Sequence, residues 1–227
     1  MVGDHTIARF TEIKTILYGD DYMIRRYKED DFDYIIDIGG NAGTFTLVSH
    51  ILFPGALIFT YEPCKSTFAV MCENLKKFRN IKLINKALGS GNSIFIRDVW
   101  YSTSRAIQFI EEDTGNYKID SSTMVDIFKD NDVDINKNIL VKMDCEGGEE
   151  ILLDNESNEI LKKCKQISME IHFKCPGNSY FDNFPEWKVY NSWVYDVFEE
   201  THDILYHKSS KHKGTGIYVI TLKESVA

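Results

Sequence analysis

The chain has 227 residues, of which 43% are hydrophobic and 27% charged, and its formal net charge is −9. This length fits one α/β domain, and the composition is that of a globular protein. The excess of carboxylates argues against a dedicated nucleic-acid binder, because such proteins need a basic surface. No apolar run has the length of a signal peptide or a membrane span, so we expect a cytoplasmic protein with no membrane partner.

The first half of the chain alternates between short apolar runs and apolar residues at helical spacing. Strands and helices in the order βαβαβ are predicted at 34–38, 45–52, 56–61, 68–75 and 81–84. Strands that alternate with helices in this way form a mostly parallel sheet that is covered on both faces.

The second half of the chain continues this order after an interruption. A short strand is predicted at 94–96, whereas 97–120 lack an apolar pattern and are predicted as a long surface connection. Further strands are predicted at 138–143, 167–173, 203–207 and 216–222. The last two are separated by a short polar loop, so they are expected to form a closing hairpin that places one antiparallel strand in the sheet.

The turn after the first strand reads Asp37-Ile38-Gly39-Gly40-Asn41-Ala42-Gly43. In open α/β sheets a ligand binds at this position. The dinucleotide spacing G-x-G-x-x-G fails whether it is counted from Gly39 or from Gly40. An acidic turn suits a cation instead, and S-adenosylmethionine carries a sulfonium and an ammonium but no pyrophosphate. The alternative is that Gly39, Gly40 and Gly43 only make a tight connection between strand and helix.

Glu62 ends the second predicted strand. It lies about 20 residues past the glycine turn, where Rossmann proteins place an acid that accepts hydrogen bonds from ribose hydroxyls. The alternative is that Glu62 caps the next helix. Because the turn and the acid occur together at the expected separation, a nucleoside cofactor is the favoured interpretation.

Five motifs occur in an order and spacing that resemble the FkbM family of methyltransferases. They are Asp37–Gly43, Tyr61-Glu62-Pro63, Asn85-Lys86-Ala87-Leu88-Gly89, the run from Lys142 through Asp144, Glu146 and Gly147 to Glu149, and Met169-Glu170-Ile171-His172. The resemblance covers about 34–173, and its specific part is K-x-D-x-E-G-x-E followed by a strand that ends in E-x-H.

The resemblance implies an α/β, Rossmann-like class I methyltransferase fold with a seven-stranded, mostly parallel sheet. It implies S-adenosylmethionine as the cofactor and an oxygen of a sugar, glycan or other natural product as the methyl acceptor. The expected cofactor-binding residues are Asp37, Gly39, Gly40, Asn41, Gly43, Glu62, Ala87, Asp144 and Glu146.

We expect one methyltransferase domain over 1–227, with an N-terminal extension over 1–33, a cofactor-binding and catalytic core over 34–173, and an aromatic-rich substrate segment with the closing hairpin over 174–227. The two ends are expected to choose the acceptor, which is a small molecule or carbohydrate. Another acceptor, such as a phosphorylated small molecule, a peptide or RNA, is the alternative. An NAD-dependent reductase and a non-catalytic binding protein are the rivals from other classes, and a homodimer is left open.

Candidate catalytic residues lie at the ends of two predicted strands, where alternate residues share one face. His172 titrates nearest neutrality and is the candidate general base, with Glu170 or Asp144 orienting it or binding acceptor hydroxyls. Lys142 is either catalytic or part of a structural ion pair with Asp144 or Glu146. Asp144, Glu170 and His172 could also hold a divalent metal, which we do not expect.

Overall fold

The computed structural model describes residue 16 and the segments 19–97, 116–145, 154–172, 185–208 and 215–224. Its first half runs in the order β1 (Tyr34–Ile38), α1 (Thr44–Leu52), β2 (Leu57–Tyr61), α2 (Lys65–Leu75), β3 (Ile81–Ile84), β4 (Ala87–Leu88) and β5 (Ser93–Arg97). The second half continues with β6 (Asn116–Ser122), α3 (Met124–Asp130), β7 (Ile139–Met143), α4 (Asn155–Leu161), β8 (Gln166–His172), α5 (Pro185–Phe198), β9 (His202–Lys208) and β10 (Thr215–Leu222).

Seven of these strands form one sheet in the order β3-β2-β1-β7-β8-β10-β9. The five strands β3, β2, β1, β7 and β8 are parallel to one another, whereas β10 is antiparallel to both β8 and β9. The predicted sheet and its closing hairpin are therefore confirmed. From β1 the strands β2 and β3 are added on one side, and β7 and β8 are added on the other. The point at which the strand order reverses, where ligands bind in such sheets, therefore lies between the carboxyl ends of β1 and β7.

A second, three-stranded sheet has the order β4-β6-β5. The prediction of a surface connection over 97–120 is wrong at its end, because β6 begins at Asn116 and pairs with β5. Lys118 and Asp120 of β6 are exposed and alternate with buried Ile119 and Ser121, so the strand has too few apolar residues to be recognised. Residues 98–115 lie outside the described part of the chain.

The two faces of the main sheet contact different partners. One face packs against α3, α4 and α5 through residues such as Ile36, Val141 and Ile167. The other presents Ile35 and Leu140 to α1 and to the segment that precedes β1. Burial on both faces explains why these strands are continuous apolar runs. Within the described segments, no helix is long and apolar enough to cross a membrane.

Candidate functional site

The glycine turn folds back against the carboxyl ends of β2 and β7. The backbones of Gly39 (φ 80°) and Gly43 (φ 88°) lie in the left-handed region that favours glycine. The amides of Gly39 and Gly40 both donate to the carbonyl of Tyr61, each at 2.9 Å. A Cβ atom on Gly39 would lie 1.8 Å from the carbonyl oxygen of Asp144, so a side chain does not fit there.

Three consecutive amides of this turn are engaged by the protein itself. The amide of Asn41 donates to Oε2 of Glu62 at 2.9 Å, and the amides of Gly39 and Gly40 are used by Tyr61. A phosphate-binding turn leaves such amides available for the anion. This arrangement agrees with the sequence-based exclusion of a dinucleotide fingerprint.

Glu62 connects the turn to the start of α2. Its carboxylate is nearly buried, with 7% of the residue exposed. While Oε2 accepts from Asn41, Oε1 accepts from the amide of Cys64 at 2.8 Å, directly before α2. The helix-start contact suggested by the sequence is therefore present. A carboxylate can accept up to about four hydrogen bonds, so this contact is compatible with a further role in ligand binding.

Asp37 and Lys142 form a buried ion pair beneath the turn. Asp37 has no exposed surface; its Oδ2 accepts from Thr46 Oγ1 at 2.6 Å and its Oδ1 lies 3.2 Å from Lys142 Nζ. Lys142 Nζ also donates to the carbonyl of Gly39 at 2.9 Å. The predicted partner Asp144 is more distant, at 3.9 Å. The nearest described carboxylate to Lys142 is thus Asp37, a residue that we expected in cofactor binding.

The charge of Lys142 is fixed by these neighbours. Burial alone would lower the pKa of Lys142, but the carboxylates of Asp37 and Asp144 outweigh burial and raise this pKa above its usual range. An ammonium that keeps its proton cannot accept one from a substrate. This environment favours the ion-pair interpretation of Lys142 over the catalytic one.

Asp144 directly follows the last residue of β7, and 28% of its side chain is exposed. The hydroxyl of Tyr22 donates to Asp144 Oδ2 at 3.3 Å. Burial, followed by the negative charges of Asp144 and Glu170, raises the pKa of Tyr22 well above its usual value, so the phenol remains a donor. Sequence analysis missed Tyr22, because it lies 122 residues from Asp144 and in no motif.

Glu170 and His172 lie on the neighbouring strand. The register of β7 and β8 pairs Lys142 with Ser168, so Glu170 lies next along the edge that Asp144 extends. Glu170 is nearly buried, at 9% exposure. His172 is the last residue of β8 and its backbone pairs with Thr215 of β10. The structure thus brings together three of the four predicted catalytic residues, Lys142, Asp144 and Glu170.

Two of the remaining predicted site residues cannot be placed by their side chains, and one lies in the small sheet. The side chain of His172 and the whole of Glu146 lie outside the described part of the chain. Ala87 is buried in β4, where it pairs with Ser121 of β6. No group of three potential metal ligands occurs among the described residues. The metal triad of Asp144, Glu170 and His172 stays untested, because it requires the His172 side chain.

The architecture defines the class: a Rossmann-like sheet with a closing antiparallel strand, a glycine turn after β1 and acidic residues at the ends of β1, β2, β7 and β8 is that of the class I methyltransferases. The model of the FkbM methyltransferase domain matches residues 37–205. The chain belongs to this family and is an S-adenosylmethionine-dependent methyltransferase. The family resemblance seen in the sequence is confirmed.

Solved structures share the fold at low sequence identity. An FkbM methyltransferase from Methylobacillus flagellatus is 14% identical, with a TM-score of 0.55 over 92% of this chain and 47% of its own. This chain therefore spans about half the length of that protein. A candidate rRNA methylase from Clostridium thermocellum is 10% identical, with a TM-score of 0.56 over 92% of this chain and 96% of its own.

A third structure carries a relevant ligand. A candidate methyltransferase from Streptococcus mutans, solved in complex with S-adenosylhomocysteine (SAH), is 10% identical, with a TM-score of 0.52 over 91% of this chain and 96% of its own. At such identities the likeness establishes the fold alone. No curated protein matches the chain significantly in sequence.

Proposed function

We propose that the chain is a cytoplasmic O-methyltransferase that methylates a hydroxyl of a sugar, sugar nucleotide or glycan. The observation that carries this proposal is the charge of the site, where the carboxylates of Asp37, Asp144 and Glu170 all act on one ammonium, that of Lys142. Such a site favours a sulfonium cofactor and, as the group that receives the methyl, a neutral hydroxyl. The four described cysteines are free thiols, which fits the cytoplasm.

The residues around the glycine turn fit S-adenosylmethionine, because they offer carboxylates to a cation and leave no free run of amides for a pyrophosphate. We assign the turn from Gly39 to Gly43 to the body of the cofactor and Glu62 to its ribose hydroxyls. On the family resemblance we also assign Ala87, Asp144 and Glu146 to the cofactor. When bound, S-adenosylmethionine supplies the methyl group for an in-line displacement.

The protein's own groups are proposed to bind the acceptor and remove its proton. Asp144 and Glu170 would accept hydrogen bonds from acceptor hydroxyls and hold the reacting oxygen in place, which supplies much of the acceleration. The hydroxyl proton would pass to the neutral imidazole of His172. No divalent ion is needed in this scheme, because the base is a side chain.

Two measurements test the proposal in sequence. Calorimetry with S-adenosylmethionine and with SAH should show binding. If NADH bound tightly and neither of these two ligands bound, the cofactor assignment would be overturned. A panel of methyl glycosides, sugar nucleotides and total RNA should then be screened for SAH release. Turnover only with RNA would replace the carbohydrate acceptor by a nucleic acid, the alternative that the candidate rRNA methylase relative suggests.

A further inference from the structure

Four polar side chains form a connected network beneath the glycine turn. Thr60 Oγ1 lies 2.8 Å from Thr46 Oγ1, which donates to Asp37 Oδ2 at 2.6 Å. Asp37 Oδ1 lies 3.2 Å from Lys142 Nζ, and this ammonium donates to the carbonyl of Gly39 at 2.9 Å. We call these four side chains the buried network, since each is at most 3% exposed.

The buried network places charged and polar side chains in a part of the core where apolar side chains would cost less free energy. Removing two ions and two hydroxyls from water carries a large desolvation cost, and apolar residues of the same volume are often at least as stable. Its members come from β1, α1, β2 and β7, the four elements that surround the turn. Through Lys142 the network reaches the backbone of the turn, where Nζ donates to the carbonyl of Gly39 at a shorter distance than the 3.9 Å that separates it from Asp144 Oδ2.

The turn has little freedom to move against these contacts. Gly39 is confined by the carbonyl of Asp144, and a Cβ on Gly40 would lie 2.2 Å from Cγ2 of Thr60. Thr60 thus touches the turn through its methyl group and the network through its hydroxyl. A change in the network is therefore passed directly to the backbone that faces the cofactor.

We propose that Thr46 and Thr60, together with Asp37 and Lys142, are positioning residues that hold the glycine turn in the geometry that binds S-adenosylmethionine. None of the four needs to contact the cofactor, since the network acts through the carbonyl of Gly39. This inference rests on the proposed assignment of the turn to the cofactor, and it adds two residues that belong to none of the sequence motifs.

The test measures SAH affinity by calorimetry in matched variants at position 46. Thr46→Val keeps the shape of the side chain but removes the donor to Asp37, and we expect the SAH dissociation constant to rise roughly tenfold, the scale of one lost hydrogen bond to a charged group. Thr46→Ser keeps the hydroxyl and should restore affinity to within about twofold of the unaltered chain. This rescue would not be expected of a side chain that only fills space.

Ser49→Ala is the control on the same helix. Ser49 is buried and its hydroxyl has no hydrogen-bond partner in the described part of the chain, so its loss should leave SAH affinity unchanged. If Thr46→Val does not fold, Thr60→Val provides a second variant, because it removes only the outer hydroxyl of the network and keeps the methyl group against Gly40. A rise of about two- to fivefold in the dissociation constant is expected there.

Several outcomes would overturn the inference. These are an SAH affinity for Thr46→Val within twofold of the unaltered chain, an equal loss in Thr46→Ser, or a lower melting temperature in the valine variants with unchanged affinity. If the unaltered chain bound no SAH, the cofactor assignment itself would be wrong, and this inference would be lost with it.

Discussion

The acidic residues at the strand ends differ in how much of each side chain a ligand can reach. Asp37 is fully buried and its carboxylate contacts Thr46 and Lys142, whereas 7% of Glu62 is exposed. The side chain of Asp144 is 28% exposed. A carboxylate with no exposed surface, such as that of Asp37, can influence a ligand only through its neighbours. We therefore expect Glu62 and Asp144 to contact ligands and Asp37 to act through the backbone of the turn.

Glu62→Gln tests the carboxylate that joins the turn to α2. Both oxygens of Glu62 accept backbone amides, so the glutamine NH2 group must face one of these donors and leave it without a partner. We expect the SAH dissociation constant, measured by calorimetry, to rise by at least about tenfold. Glu73→Gln on the exposed surface of α2 is the control and should bind normally. Normal SAH binding by Glu62→Gln with loss of turnover alone would contradict the cofactor assignment.

His172→Ala tests the proposed general base. We expect SAH affinity to stay nearly unchanged and turnover of the acceptor found in the screen to fall by roughly 10²- to 10⁴-fold. The rate of the unaltered enzyme should also fall on acidification through the pKa range of imidazole, because only the neutral ring accepts a proton.

Chelation separates this role from metal binding. If His172 is a metal ligand, chelator abolishes the activity of the unaltered enzyme and added divalent ion restores it. Near-normal turnover of His172→Ala, unaffected by chelator, would transfer the role of base to Asp144 or Glu170.

The sequence revealed the charged members of the site but not their neutral partners. Asp144 and Glu170 were found because carboxylates at strand ends are chemically conspicuous. Thr46 and Thr60 lie in an apolar helix and an apolar strand, where a hydroxyl gives no periodic signal. The pairing of Lys142 with Asp37 depends on the register of β1 and β7, which places these residues side by side. No local pattern in either strand specifies that register.

At the scale of elements, the segment before β1 contributes to the site although it precedes the matched family domain, which begins at residue 37. The carboxylate of Asp20 accepts the amides of Ile24 and Arg25 and so folds the segment on itself. The carbonyl of Tyr22 accepts from Gln166 Nε2 at 2.8 Å and from Ser168 Oγ at 2.9 Å. Side chains of β8 thus hold the segment against the sheet, and from there the Tyr22 hydroxyl reaches Asp144.

Tyr22→Phe tests this contribution. The variant keeps the ring, which packs edge-on against Phe45 with centroids 5.3 Å apart, and removes only the hydroxyl that reaches Asp144. We expect SAH affinity within about twofold of the unaltered chain and a kcat/KM for the acceptor that is lower by roughly tenfold, because Asp144 loses a donor. An unchanged kcat/KM would show that the hydroxyl does not help to orient Asp144.

Helix α3 begins with a reciprocal capping box. Thr123 Oγ1 accepts from the amide of Asp126 at 3.0 Å, while the Asp126 carboxylate accepts from the amide of Thr123 at 3.0 Å. We expect Thr123→Ala to lower the free energy of unfolding by about 0.5–2 kcal/mol, measured by denaturant titration. Ser49→Ala provides a comparison in α1, because the buried hydroxyl of Ser49 has no hydrogen-bond partner among the described residues. An equal loss in both variants would contradict the capping role.

The contribution of this capping box to the stability of the fold depends on pH. Hydrogen bonds from the backbone and then the side chain of Thr123 lower the pKa of Asp126 below its usual value. A carboxylate whose pKa is lower in the folded state stabilises the fold above its unfolded pKa, near 3.9, and loses that contribution as the pH falls further. The effect of Thr123→Ala should therefore be full at neutral pH and shrink in strongly acidic solution.

At the scale of the whole molecule, the main sheet was predictable because its strands are buried on both faces. β7 is buried at every position from Ile139 to Met143, and β1 at four of its five, so both are apolar runs with clear ends. The small sheet lacks that signal, since Ser121 and Ser122 are buried in β6 where apolar residues would be expected. Helix α3 was not predicted, because a seven-residue helix gives fewer than two full periods.

A buried histidine adds a side-chain contact between the outer hairpin and the residues that precede β8. His202 begins β9, the edge strand, and its Nε2 lies 3.2 Å from the carbonyl of Cys164, just before β8. Its Nδ1 lies 2.7 Å from Thr201 Oγ1. A carbonyl only accepts, so Nε2 carries the proton and Nδ1 accepts from the threonine hydroxyl. This tautomer satisfies both ring nitrogens in the neutral state.

We expect protonation of His202 to destabilise the fold in mildly acidic solution. Burial is the main cause that lowers the pKa of His202, and the charge of Lys223 lowers it further. The hydrogen bond to the Cys164 carbonyl and the charge of Asp203 raise this pKa, but they offset the lowering only in part. Because this pKa is lower in the folded state, the unfolded chain binds more protons just below about pH 6.5, and the free energy of unfolding falls as the pH falls through that window. His202→Gln keeps an N–H group but cannot titrate. Denaturant titrations between about pH 7 and pH 5 should therefore show a shallower decline for His202→Gln than for the unaltered chain. Parallel declines would mean that the pKa of His202 is the same in the folded and unfolded states, and that other groups cause the acid sensitivity.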